Sequence, residues 1–193
     1  MERRPDDSGG IKSDETLFDI VERLRNADGA GVTELADDLD VAKSTVHGHL
    51  TTLCDRGFAV KRDGEYHLGL RLFEYGQYVR QQLDIFESGM SAVDRLERET
   101  DEMAWLIAHQ GGKAIYVYGR GGDNDINLNT ILGTSVHMHY NSGGKAILAH
   151  LPDEEVEQII AEHGLPAQTE QTITDRDRLA DELEQIRNQG DAL

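Results

Sequence analysis

Residues 137–150 (HMHYNSGGKAILAH) carry the densest set of side chains and glycines able to do chemistry, and three chemistries compete for them. Gly143-Gly144-Lys145 resembles the end of a nucleotide phosphate loop, G-x-x-x-x-G-K-[ST]. That pattern needs Gly at position 139 and a hydroxyl at 146, where the chain has His139 and Ala146. His137 and His139 alternate onto one face of a strand and could share a metal, yet no Cys or carboxylate stands at a ligand spacing close by. The pair therefore reads as structural, and no metal site is expected. The third chemistry is a small anion held by backbone N–H groups where a helix begins, in a Gly-rich approach that permits close contact. Lys145 reads either as a partner for that anion or as half of a structural salt bridge.

A second group is basic. Residues 41–62 hold Lys43, Arg56, Lys61 and Arg62 against Asp55 alone. Lys43, Lys61 and Arg62 suit phosphate oxygens, while Ser44, Thr45 and His47 suit the donors and acceptors of base edges. Together they favour contact with double-stranded DNA; the alternative is an ordinary solvated surface. Cys54 is the only cysteine, which excludes an internal disulfide and suits a reducing cytoplasm. No nucleophile–base pair or cofactor fingerprint stands out, so neither an enzyme nor a cofactor is expected.

These residues need elements to hold them. Ser13 as an N-cap opens an amphipathic helix over 14–26, with Leu17, Ile20, Val21 and Leu24 at helical spacing. Thr33 caps a short second helix that turns Leu35 and Ala36 inward. A third helix runs over about 42–56. Val46, Leu50 and Leu53 share one of its faces, which puts Ser44, Thr45 and His47 on the other, and Gly57 stops it. Two short strands around Asp63-Gly64 predict a hairpin. Three helices and a hairpin in this order make a winged helix-turn-helix, whose third helix enters the major groove while the hairpin leans on the adjacent backbone.

Leu70, Leu72, Phe73, Tyr75, Val79 and Leu83 continue as a helix with an apolar surface too wide for an isolated linker. It packs either on a partner subunit or on the core of the same chain. Another helix spans 85–99, then two strands over 103–109 and 114–118 form a hairpin, and a further strand covers about 126–132. A strand or loop from 137 leads into a helix, and two acidic helices follow over 152–163 and 174–189, the second capped by Thr174. The fold class is α+β: a flexible tail (1–12), a winged helix-turn-helix domain (13–69), a linker helix (70–84) and a second domain (85–193). The last is built on a mainly antiparallel sheet flanked by helices.

Of 193 residues, 19 are Lys or Arg and 37 are Asp or Glu, for a net charge of −18. Such acidity argues against a nucleic-acid binder, except that residues 41–62 escape it. The acid is spread in stretches of at most three residues, so it coats a folded surface and suits work in concentrated salt. No apolar run approaches the roughly 20 residues of a membrane helix, and the first ten residues lack a secretory signal. A cytoplasmic protein without membrane contact is expected.

Val32-Thr33-Glu34-Leu35-Ala36, Lys43-Ser44-Thr45-Val46-His47, His49-Leu50-Thr51-Thr52-Leu53 and Arg56-Gly57-Phe58 resemble the DNA-binding domain of IclR-type transcriptional regulators. The resemblance runs from Ile11 to Leu193. It departs at Gly48, where the family often has Arg, so the usual operator preference is not carried over. His139 through Ala149 is similar to a segment of the family's effector-binding domain. By that resemblance Ser142 and Gly143 sit beside a small carboxylate effector, with Leu128 and Ile126 as apolar pocket walls. Asn141 and Ser142 replace smaller residues and imply a more polar pocket. The resemblance further implies a homodimer or tetramer that binds double-stranded DNA and a small-molecule effector and controls a catabolic operon. Family members usually continue beyond position 193 into more strands, so the second domain is expected to be incomplete. That leaves one alternative: a metabolite-binding or oligomerisation module that has lost DNA or effector binding.

Overall fold

Ile20, Leu24, Leu35, Val46 and Leu50 are almost fully removed from solvent, and burying them together fixes three helices on one core. The helices are α1 (Lys12–Ala27), α2 (Val32–Leu39) and α3 (Lys43–Asp55). Strands β1 (Ala59–Arg62) and β2 (Glu65–Leu68) add Ala59 and Tyr66 to that core, and α4 (Arg71–Gln81) follows. The computed structural model describes residues 10–121 and 128–190, and contacts divide the chain into two units, Met1–Gln82 and Leu83–Leu193.

In the first unit the β1–β2 register places Arg62 opposite Glu65, leaving Asp63-Gly64 as a two-residue turn with φ of 51° and 95°. Positive φ at both central residues matches the right-handed twist of the strands, so an Asp-Gly pair closes the hairpin tightly. Ala30 joins it as a further rung, its N–H donating to the Tyr66 carbonyl at 3.1 Å and its carbonyl accepting from the Tyr66 N–H at 2.9 Å. That pairing fixes where α2 begins. Gly31, not Thr33, is the capping position, and Thr33 lies inside the helix. Ser13 is likewise no cap, because the ladder starts two residues earlier from the Ile11 carbonyl, which accepts from Asp14 and Glu15.

α4 is the exception to the core. None of its eleven residues is buried, and Leu70 just before it, Phe73 and Tyr78 stand 84%, 65% and 63% exposed. The apolar surface expected over 70–84 is not spent on the core of this unit.

The second unit contains α5 (Phe86–Thr100), β3 (Ala104–Gln110), β4 (Lys113–Arg120), β5 (Ser135–His137), α6 (Ser142–His150), α7 (Asp153–His163) and α8 (Arg176–Gln189). The strands form one antiparallel sheet in the order β3-β4-β5. Opposite the step from Leu106 to Ile107, β4 carries one extra residue, Val117, so the side chains change face there. On one face Tyr118 packs edge-on to Phe86 of α5 and donates to Asp94 at 2.8 Å. On the other, Ile107, Ala114 and Val136 pack with Met138, Leu148 and Ala149 and with Ile160, Leu179, Leu183 and Ile186 of α7 and α8.

Three local expectations change. Residues 128–130 form a 3₁₀ turn instead of the middle of a strand, because Ile131 and Leu132 N–H groups return to the Leu128 carbonyl. Pairing with Tyr116 begins only at Gly133 and Thr134. Ile126 lies outside the described residues. α8 is capped by Asp175, whose carboxylate accepts from Arg178 N–H at 2.9 Å, rather than by Thr174; the carboxylate is the stronger acceptor. His137 ends β5, while His139 lies in a 3₁₀ turn (Met138–Tyr140), so the two do not alternate along one strand. Among the described residues no helix is long and apolar enough to cross a membrane.

Candidate functional site

Val46, Leu50 and Leu53 bury one face of α3, which turns Lys43, Ser44, Thr45 and His47 to solvent. Lys61 and Arg62 are exposed on β1, with the Lys61 ammonium 5.1 Å from the ring centroid of buried Tyr66. All six residues therefore stand on outward faces of one unit that shares a single core. Thr51 and Thr52 direct their hydroxyls back onto the His47 and Gly48 carbonyls at 2.8 and 3.0 Å, so these threonines bond within the helix. A Cβ at Gly48 would meet nothing within 4 Å, so glycine here is no packing requirement. Cys54 is half-buried; burial and then Asp55 raise its thiol above the usual range, and Lys61 opposes them.

The start of α6 is built quite differently. Asn141 caps it, accepting from Gly144 N–H at 2.7 Å and donating its amide to the Tyr116 hydroxyl at 2.9 Å. A Cβ at Gly144 would collide with the Met138 carbonyl, and one at Gly143 would lie 2.6 Å from Ile107 Cδ1. The helix start is thus pressed onto the sheet. Trp105 closes that neighbourhood, edge-on to Tyr116 at 5.2 Å and lying over Gly119. Leu128 lies against Gly121.

Ser142 and Gly143, adjacent in sequence, serve different surfaces. Gly143 meets the sheet, whereas Ser142 opens with Tyr140, Thr172 and Arg178 onto a cleft of about 360 Å³ on the side of α8. Lys145, buried in the same region, pairs with Glu182 at 2.6 Å and so ties α6 to α8. Trp105 and Tyr116 were not among the expected pocket residues. Strand alternation could not place them, because the extra residue at Val117 resets which face each side chain takes.

A third cluster joins four segments. The Lys113 ammonium lies 2.9 Å from His137 Nε2, and the His137 ring stands 5.6 Å from His139 and 6.1 Å from His163. His139 Nε2 bonds to the Pro166 carbonyl and His163 Nε2 to the Gly111 carbonyl, each at 2.9 Å. Desolvation, followed by Lys113 and the two other imidazoles, pushes the His137 pKa down to about 4. Desolvation also lowers His139 despite its bond to Pro166, and burial lowers Lys113. Among the described residues no three His, Cys, Asp or Glu side chains form a group able to hold a metal ion.

Comparison with known proteins gives a consistent result. Residues 16–63 match the IclR helix-turn-helix domain, and residues 77–193 match the C-terminal domain of the bacterial transcriptional regulator IclR. The HTH-type transcriptional regulator BhcR of Paracoccus denitrificans is 32% identical over 191 residues, covering 97% of this chain and 68% of that protein. The probable HTH-type transcriptional regulator ArcR of Halobacterium salinarum is 28% identical over 179 residues, covering 91% and 68%. Among solved structures, the Thermotoga maritima IclR aligns with a TM-score of 0.67 at 30% identity, covering 94% of this chain and 72% of the other.

Proposed function

Because the chain belongs to the IclR family of transcriptional regulators, with a DNA-binding helix-turn-helix domain and an effector-binding C-terminal domain, we propose that it controls a catabolic operon in response to a small carboxylate. The observation that carries this reading is the exposed row of Lys43, Ser44, Thr45 and His47 on α3, with Lys61 and Arg62 on the hairpin, in a chain of net charge −18. Lys43, Lys61 and Arg62 take phosphates; Ser44, Thr45 and His47 reach base edges. Residues 13–69 form the DNA-binding module, 70–84 the linker helix and 85–193 the effector module. The effector sits at the start of α6, where the helix dipole favours an anion and Gly143 lets the helix start lie against the sheet. Leu128, Ile107 and Trp105 supply its apolar surroundings and Asn141 its polar one, while Ser142 opens onto the cleft beside α8. The exposed face of α4 suits a second copy of the chain in a dimer or tetramer. The regulator works in the cytoplasm, and its dispersed carboxylates adapt it to concentrated salt.

Selection of duplexes from a random library by the full chain tests this reading, followed by affinity measurement in high salt. The double variant Lys43→Ala, Arg62→Ala should bind the enriched duplex at least about tenfold more weakly, with a shallower salt dependence. Wild-type binding no tighter than that of the double variant would sink the proposal. It would favour an oligomerisation module without operator affinity.

A further inference from the structure

The passage from the recognition helix into α4 is tightly constructed for a junction on the surface of the first unit. Gly69 donates its N–H to the Phe58 carbonyl at 2.7 Å, and a Cβ on Gly69 would collide with the Gly57 carbonyl. Two residues later Arg71, the first residue of α4, donates from Nη1 to the Arg56 carbonyl at 2.9 Å. Arg56 is the C-cap of α3, so the guanidinium binds the negative end of that helix. The same guanidinium stands 5.4 Å from the ring centroid of Phe58 and 5.7 Å from that of Tyr75. The two rings are 5.5 Å apart and tilted by 32°. Nη2 also reaches the Tyr75 hydroxyl at 3.4 Å. One planar cation thus joins the end of α3, the residue before β1 and the second turn of α4.

None of the residues of α4 is fully buried. α3, in contrast, is held at its middle by Val46 and Leu50. The Arg71 junction therefore ties α4 to the helix that carries Lys43, Ser44, Thr45 and His47.

We propose that Arg71 is a positioning residue for operator recognition, locking α4 to the C-terminal end of α3 so that the recognition helix takes one orientation relative to α4. The inference rests on the reading of the chain as an operator-binding regulator. Base-edge contacts, which read sequence, need that orientation, whereas phosphate contacts carry no sequence information. A lysine cannot replace the arginine, because its ammonium lacks the planar fork that donates to a carbonyl while stacking on two rings.

The test uses the full chain, the duplex enriched from a random library by wild-type protein, and a scrambled duplex of the same composition. Affinities for both are measured over a range of potassium chloride, with calorimetric unfolding of each variant to correct for folded fraction. Arg71→Ala should lower the preference for the enriched duplex about tenfold, leaving scrambled-duplex affinity and the salt slope unchanged. Arg71→Lys should lose most of the same preference, and it decides the matter if Arg71→Ala does not fold. Full preference in Arg71→Lys overturns the clamp, since charge alone would then suffice. A parallel fall on both duplexes with a salt slope smaller by about one makes Arg71 a phosphate contact and also overturns it. Unchanged preference in Arg71→Ala does the same. Wild-type protein that enriches no duplex defeats the proposed function itself and this inference with it.

Discussion

α3 leaves Ala42 with no side chain capping its first turn, and Lys43, Ser44 and Thr45 stand in solvent there; α6 leaves Asn141, whose amide binds both Gly144 N–H and the Tyr116 hydroxyl. Both helix starts favour negative charge through the same dipole. They differ in what surrounds it. At α3 the helix start stands open to solvent, with Ala42 to Thr45 exposed, which suits a polyanion approached along its length. At α6 the helix start is pressed against Ile107 and backed by Tyr116 and Trp105, which suits a small ligand judged by shape. The same local physics serves two kinds of partner, and the packing behind each helix decides which.

The largest test of this contrast replaces Gly144. In Gly144→Ala the new methyl meets the Met138 carbonyl, so the start of α6 must shift. We expect a loss of about 3 kcal/mol from the second unit, with the melt of the first unit unchanged by differential calorimetry. Equal stability would show that the helix start is not pressed as described.

The second test is pH. His137 has a folded pKa of about 4 against 6.5 in the unfolded chain, so between those values the unfolded chain takes up a proton that the folded chain refuses. Stability of the second unit should fall as pH drops through that window, by about 2 kcal/mol after allowance for partial solvation of the ring. Lys113, His139 and His163 face the ring and Glu162 lies 3.9 Å from His163, so the groups closest to His137 are predominantly basic. His137→Gln should flatten the calorimetric dependence on pH. Identical dependence in wild type and variant would remove the cluster from the account.

Smaller effects refine the comparison. Asn141→Ala deletes the cap that α3 lacks and leaves the Tyr116 hydroxyl without its donor, at a cost of about 1 kcal/mol in urea unfolding. Gly48→Ala, placed in open space on α3, should stabilise the first unit by roughly 0.5–1 kcal/mol through helix propensity alone. A destabilised Gly48→Ala would mean that the surface of α3 is less open than its exposure indicates.

The first unit was largely legible in the sequence because its signals are local. Asp63-Gly64 sets the turn by its own backbone preference, and Val46, Leu50 and Leu53 declare the face of α3 by spacing. What was missed there, the Gly31 start of α2, depends on Ala30 pairing with Tyr66, a contact across 36 positions that no window reveals. The second unit was legible in its elements but less so in its site. Lys145 could be read two ways until Glu182 of α8 appeared beside it. Unbroken alternation along β4 would put Tyr116 on the face away from Trp105, and the extra residue at Val117 brings the two rings onto one face. Ser142 and Gly143 looked like one site and face two surfaces, because a helix turns by about 100° per residue.

Trp105 is the only tryptophan of the chain, and it sits edge-on to Tyr116 beside the start of α6, within the second unit. The indole emission of the whole protein therefore originates beside the proposed effector position, and none of it from the DNA-reading unit. A metabolite library can be screened by quenching or spectral shift on unlabelled protein, with added DNA leaving that signal untouched unless the two units communicate. The built-in fluorophore thus reports occupancy and, in the same cuvette, coupling.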